Sequence, residues 1–169
     1  MKIILLALAS LLSNPLYSAQ LGSITAFNEK NYEFEIQTSD GAHTKIIFYR
    51  SNIFRIWLGP GGNFTDPAST EETPIIIYNG DPIKVNHSEE EDYYKLETDS
   101  CVLRIYKIPC TFSLYKKDNS TLLFEENTPI TYEDESYQSI NKNTNDYFYG
   151  GGMQNGHFCH NDQVIQIEN

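Results

Sequence analysis

The sequence is short of positive charge. Its 169 residues carry 12 Lys and Arg against 23 Asp and Glu, a net charge of −11. Nucleic acid is bound by basic faces and anionic bilayers attract basic segments, so neither is an expected partner. Long apolar runs are scarce too. The only one, residues 3–12, is far shorter than the roughly 20 residues a spanning helix needs, so no membrane span is expected. Helical periodicity is missing: no segment reads as an amphipathic helix, and there is no internal repeat or linker. Nucleotide signatures are absent as well. Gly150-Gly151-Gly152 does not fit G-x-G-x-x-G, and no lysine follows it as a P-loop requires. No cofactor is expected.

Cysteine is sparse and odd in number: Cys101, Cys110 and Cys159. In an oxidising compartment this implies one disulfide and one free thiol. Cys101 and Cys110 bracket one strand, a separation that can be bridged only if the chain folds back. No metal site is expected. On a strand His157 and Cys159 share a face while His160 points away, and no second ligand pair is evident. The acidic run Glu89-Glu90-Glu91-Asp92 lacks the alternating ligands of a calcium loop and reads as a solvated loop. Carboxylates are abundant, yet no pair stands in a recognisable glycosidase context. No catalytic residue is assigned.

What is present begins with a leader. Lys2, the apolar run, Pro15 and small residues at Ser18 and Ala19 read as a secretory signal peptide over residues 1–19, cleaved after Ser18 or Ala19. The expected location is therefore extracellular or the secretory lumen. Three N-x-S/T triplets, at Asn63, Asn86 and Asn119, fit that route as candidate glycosylation sites on exposed loops.

The mature part, 20–169, reads as strands almost throughout. "NYEFEIQT" sets Tyr32, Phe34 and Ile36 against Glu33, Glu35 and Gln37, a period of two. "TKIIFY", "NIFRIWL", "PIIIY", "YYKLET", "CVLRIYKI", "TFSLY", "TLLFE" and "QVIQIE" follow. They are separated by turn signals such as Ser39-Asp40-Gly41 and Gly59-Pro60-Gly61-Gly62. That spacing predicts an all-β fold, an antiparallel β-sandwich or barrel. Residues 127–145 are polar and weakly patterned. They read as a surface excursion or a loop beside a site. Trp57, beside Arg55 on one strand face, reads either as a semi-exposed stacking platform or, the favoured reading, as partly buried against a second sheet. The run "QVIQIE" reaches Asn169 without a closing turn, which is read as a strand still in need of a neighbour.

One motif stands apart. In "YGGGMQNG" the glycines permit close backbone approach, and Gln154 and Asn155 offer both donors and acceptors. These two residues are the candidate substrate-binding pair.

The segment "DYFYGGGMQNGHFCHNDQVIQIEN" resembles the end of the N-terminal β-sandwich of glycoside hydrolase family 31, the α-glucosidase family. The upstream order agrees. "NIFRIWLGPGGNFTDP" is similar to the family's strand with an arginine followed by a loop. "YYKLETDSCVLRIYKIPCTFSLYKKDNSTLLFEE" is similar to its paired strands. The resemblance spans about residues 25–169. It implies a galactose-mutarotase-like sandwich that lends a loop to the rim of a substrate pocket. A (β/α)₈ barrel would follow, supplying an aspartate nucleophile and an aspartate acid/base for a retaining reaction. Both would lie beyond Asn169, so the barrel is expected as an absent C-terminal partner and an α-glucan or α-glucoside as the substrate. Where many members place a glutamate after the last glycine, Met153 and Gln154 follow Gly152. That is similar to a subgroup including transglycosylases and α-glucan lyases. A stand-alone carbohydrate-binding sandwich is the reading from another class.

Overall fold

The computed structural model describes residues 19–64, 83–132, 136–149, 159 and 161. The sequence runs "PIIIY" and "QVIQIE", the glycine motif, Gln154, Asn155, His157 and His160 lie outside them. Among the described residues there is no α-helix, and the chain forms two antiparallel sheets.

The smaller sheet has the order β2-β3-β4-β5: Ile24–Lys30, Glu33–Thr38, His43–Arg50 and Ile53–Gly59. The alternation is strict in β3 and β4. Phe34, Ile36, Ile46 and Phe48 are buried, while Glu33, Glu35, Lys45 and Ile47 face outward. The pairing Ile46↔Ile56 and Lys45↔Trp57 carries the two faces across to β5. Phe54, Ile56 and Leu58 therefore pack on the core, and Trp57 stands on the outer face. The expected burial of Trp57 against the second sheet is corrected, because its register partner Lys45 points away from that sheet. Tyr32 is corrected too. It lies in the β2–β3 turn with φ 62°, after Asn31 at 55°, and its N–H donates to Glu29 Oε1 at 2.8 Å. A short 3₁₀ turn, Pro60–Gly62, ends the sheet with Gly61 and Gly62 at positive φ.

The larger sheet has the order β1-β10-β9-β8-β7-β6, with β11 also on β10. Its strands are β1 Ala19–Gln20, β6 Asn86–Glu89, β7 Tyr93–Glu97, β8 Cys101–Lys107, β9 Cys110–Lys116, β10 Leu122–Tyr132 and β11 Ser136–Ile140. A hairpin turns across Asp99-Ser100, with Glu97↔Val102 and Tyr93↔Tyr106. Leu96, Leu103, Ile105, Phe112 and Ile130 meet the smaller sheet in one core. Each such side chain, fully buried, contributes about 1.5–3 kcal/mol.

β10 is shared between two ladders. Its first half pairs with β9, and its second half pairs with β1 and β11. Bulges between Glu126 and Thr131 mark the change. At that point β10 offers a side chain to β9: Glu126 Oε2 accepts the Phe112 N–H at 2.9 Å and Oε1 accepts Gln138 Nε2 at 2.7 Å. Residues 127–145, expected as an excursion or loop, thus hold half a strand and all of β11.

The three cysteines are free. Cys101 pairs with Lys116 and Cys110 with Lys107, at opposite ends of the β8–β9 hairpin. The expected disulfide is corrected: all three thiols are free, and for Cys101 and Cys110 the chain does fold back but leaves them at opposite ends of the hairpin. Cys159 bonds within its own turn, its Sγ to Asn161 Oδ1 at 3.2 Å.

Candidate functional site

The site is built from the chain that leaves β11. Asn141 docks this segment on β10: its N–H donates to Glu125 O at 2.8 Å and its Nδ2 to Glu125 Oε2 at 3.1 Å. A turn follows. Asn143 N–H donates to Asp146 Oδ2 at 2.7 Å, and Asp146 N–H returns to Asn143 O at 3.1 Å. Three aromatics come next. Tyr147, Phe148 and Tyr149 are 63%, 46% and 57% exposed, high values for such residues. With Leu123, Ile140 and Asn145 they line a hollow of about 460 Å³.

One distant residue fixes this segment. Asn161 Nδ2 donates to Asp146 O at 2.8 Å, and Asn161 Oδ1 accepts the Phe148 N–H at 3.0 Å. A single carboxamide therefore pins backbone on both sides of Tyr147. Sequence reasoning missed Asn161. No periodicity marks such a residue, and its one signal is a short amide side chain in the sequence His-Asn-Asp.

The hollow can stack and hydrogen-bond. Among the described residues that line it, the one carboxylate, Asp146, is committed to Asn143. Acid–base chemistry needs a second group within reach, and none is described there.

The groups whose proton affinity is displaced lie elsewhere. Burial pushes the Cys110 thiol up to about 12, helped by Glu126 and Asp40. Burial and a hydrogen bond to Asp40 push Tyr132 up to about 12. Burial also raises Glu126, against the hydrogen bonds from Gln138 and Phe112. For Asp40 burial is outweighed by hydrogen bonds from Tyr132, Thr38 and Gly22, so its carboxyl is lowered. Cys110 and Glu126 are buried in the sandwich, and Tyr132 reaches Asp40 in the β3–β4 turn.

The other singled-out residues are spread over the surface. Asn63 is exposed beyond the 3₁₀ turn, and Asn86 is exposed on β6, at one end of the larger sheet. Asn119 is half-buried at φ 54°, and its Oδ1 accepts Arg104 Nε at 3.0 Å and Nη2 at 2.8 Å. The acidic run 89–92 has an organising centre: Lys107 Nζ reaches Glu89 Oε1 at 2.8 Å, Glu90 O at 2.6 Å and Glu91 O at 3.3 Å. Among the described residues no cluster of three His, Cys, Asp or Glu could hold a metal ion, and no helix is long and apolar enough to cross a membrane.

A two-sheet antiparallel sandwich is the architecture of a recognisable class. Residues 43–169 match the glycosyl hydrolase 31 N-terminal galactose mutarotase-like domain, and the chain belongs to that family. Solved structures share the fold. A dextranase of this glycoside hydrolase family from Flavobacterium johnsoniae, complexed with isomaltotriose, superposes with a TM-score of 0.75 at 19% identity. The match covers 85% of this chain and 18% of the dextranase. A cycloalternan-forming enzyme from Listeria monocytogenes, in complex with a pentasaccharide substrate, gives 0.61 at 15% identity, covering 83% of this chain and 14% of the enzyme. The chain thus spans less than a fifth of the length of either. No curated protein matches it significantly by sequence.

Proposed function

We propose that this chain is the N-terminal, non-catalytic sandwich of a secreted α-glucosidase-like enzyme, and that the segment pinned by Asn161 borders the pocket holding an α-glucan or α-glucoside. The observation that carries this reading is the hollow beside Tyr147, Phe148 and Tyr149. Large exposed aromatics on one short segment are a surface that gains by being covered. Aromatic faces with amides beside them suit sugar rings, which are apolar on one face and hydroxylated at the edge. The dextranase and the cycloalternan-forming enzyme are both described with oligosaccharides. Gln154 and Asn155, which lie in sequence between Tyr149 and Asn161, would supply the hydrogen bonds. Bond cleavage is assigned to a barrel of the same polypeptide beyond Asn169, since the hollow lacks an acid/base pair among the described residues.

Secretion through the leader 1–19 belongs to the same reading, with Asn63 and Asn86 the better-exposed glycan acceptors. Cleavage after Ser18 keeps both residues of β1, whereas cleavage after Ala19 removes the partner of Tyr132. N-terminal sequencing of the mature protein decides between them.

The intact mass of the deglycosylated natural protein, captured with an antibody against 20–169, tests the reading. A mass far above that of this chain, with α-glucoside turnover by the natural protein and none by purified 20–169, is expected. A mass equal to the mature chain would overturn it in favour of a stand-alone carbohydrate-binding sandwich. Product analysis separates hydrolysis from transglycosylation or lyase chemistry. The Met153-Gln154 departure and the likeness to a cycloalternan-forming enzyme keep transglycosylation in view.

A further inference from the structure

The outer face of the smaller sheet carries a second built surface, on the opposite side of the sandwich core from β10 and β11. Direct register partners share a face, so Asn28↔Glu35, Glu35↔Lys45 and Lys45↔Trp57 form one lateral row across all four strands. Three strand spacings make that row about 14–15 Å long. Beside it lies a hollow of about 580 Å³, walled by Asn28, Lys30, Asn31, Glu33, Glu35 and Lys45.

Two of these walls are held from behind. Glu35 Oε1 is 2.8 Å from His43 Nδ1, and Lys45 Nζ sits 4.4 Å from the centre of the Phe64 ring. Phe64 meets Trp57 edge-on with centroids 5.5 Å apart, and the Arg55 guanidinium lies 3.9 Å from the Trp57 ring. The ladder depends on Gly59: a Cβ there would fall 2.8 Å from the Phe64 ring. Side chains fixed before a ligand arrives lose less freedom on binding.

The chemistry of the hollow selects its ligand. Two lysines balance two glutamates, in a chain of net charge −11. A charged ligand gains nothing there from a net field. Carboxylates accept, ammonium groups donate, and the two carboxamides do both, which matches hydroxyl groups that themselves donate and accept. The row continues into the Trp57 and Phe64 ladder, an apolar flank for ring C–H groups. We propose that this face is a carbohydrate-binding site for a neutral oligosaccharide, separate from the hollow at Tyr147–Tyr149. The proposal rests on the reading of the protein as one that handles glucans.

The test is a titration of the isotopically labelled full chain with isomaltotriose, followed by backbone and indole NMR shifts. The expected result is coordinated shifts at Asn28, Glu35, Lys45 and the Trp57 indole. Glu35→Gln and Asn28→Ala should each weaken that response about tenfold, the loss of one good hydrogen bond. Lys45→Met, which does not touch the His43 contact, should do the same with an unchanged melting temperature. Shifts confined to Tyr147–Tyr149 would overturn this site and leave the proposed function standing. Shifts on this face that survive all three substitutions, or that require an acidic sugar, would overturn it too. So would the absence of any shift at about 10 mM ligand. The proposed function fails on the mass and turnover of the natural protein, so the two failures are distinguishable.

Discussion

The two sheets solve the same problem in different ways. In the smaller sheet, residue type and position agree at nearly every step: Phe34, Ile36, Ile46 and Phe48 inward, Glu33, Glu35 and Lys45 outward. Backbone ladders do the joining, with one register shift near the start of β2 and one near the end of β4. Around β10 and β11 the ladders break at two bulges, and side chains take over the joining. Glu126 serves Phe112 and Gln138, while Asn141 serves Glu125 and Asn161 serves Asp146 and Phe148. Regular sheet is held by pattern; the region that presents the candidate site is held by individual polar groups. The second kind of construction is cheaper to lose locally and easier to re-aim.

The largest effects should come from the shared core. Phe34→Ala and Phe112→Ala, both at fully buried positions, should each cost about 3–5 kcal/mol in urea unfolding. One transition in both variants would mean that the two constructions form one cooperative unit. A second, separate transition in Phe112→Ala would break the comparison into two independently stable halves.

Glu126→Ala leaves the buried Phe112 N–H without its acceptor and should cost about 1–3 kcal/mol. The pH dependence sharpens this. Burial raises Glu126 above its ordinary 4.5, so the folded chain holds that proton more tightly than the unfolded chain does. Its contribution to stability is complete below about 4.5 and is lost as pH rises through the raised value. Urea midpoints should therefore fall between mildly acid and neutral pH, and Glu126→Gln should flatten that fall. Asp40 works the other way. Its lowered carboxyl contributes above its ordinary 3.8, and that contribution is lost as pH drops.

Asn161→Ala should act locally. Each hydrogen bond removed is worth about 0.5–1.5 kcal/mol, so exchange of the Phe148 amide should quicken while the global midpoint barely moves. Equal loss in both measurements would show that the segment is part of the cooperative core. Smallest of all is Lys117→Met. Its exposed pair with Glu97, at 3.1 Å, should leave the melting temperature within about 1 °C.

Legibility in the sequence follows the same division. β3 announced itself through alternation, because one face is wet and the other buried, while β4, β5, β7, β8 and β9 were legible as apolar, β-branched or aromatic runs between turn signals; in β8, Cys101, Val102 and Leu103 are all buried in succession. β2 did not: in Ile24–Lys30 only Ile24 and Phe27 pack against the core, and a bulge between Ile24 and Ala26 puts them out of period. β6, "NHSE", is polar on both faces because it ends the sheet. β11 is exposed along its whole length, so burial left no mark on its composition. At the candidate site, the aromatic cluster ahead of the glycines was visible as letters. Its pin, Asn161, was not, because a hydrogen bond across thirteen residues has no period. The acidic run was seen, but Lys107, which gathers it, lies two strands away.

The Asn161 pin also sets an order of events in time. Ribosomes add about 5–20 residues per second, so Asn161 is made roughly a second after Phe148. Through that interval the Phe148 amide has only water to bond, and the three aromatics ahead of the glycines are tethered from one side. The segment acquires its shape late in synthesis, after the strands beneath it have been made.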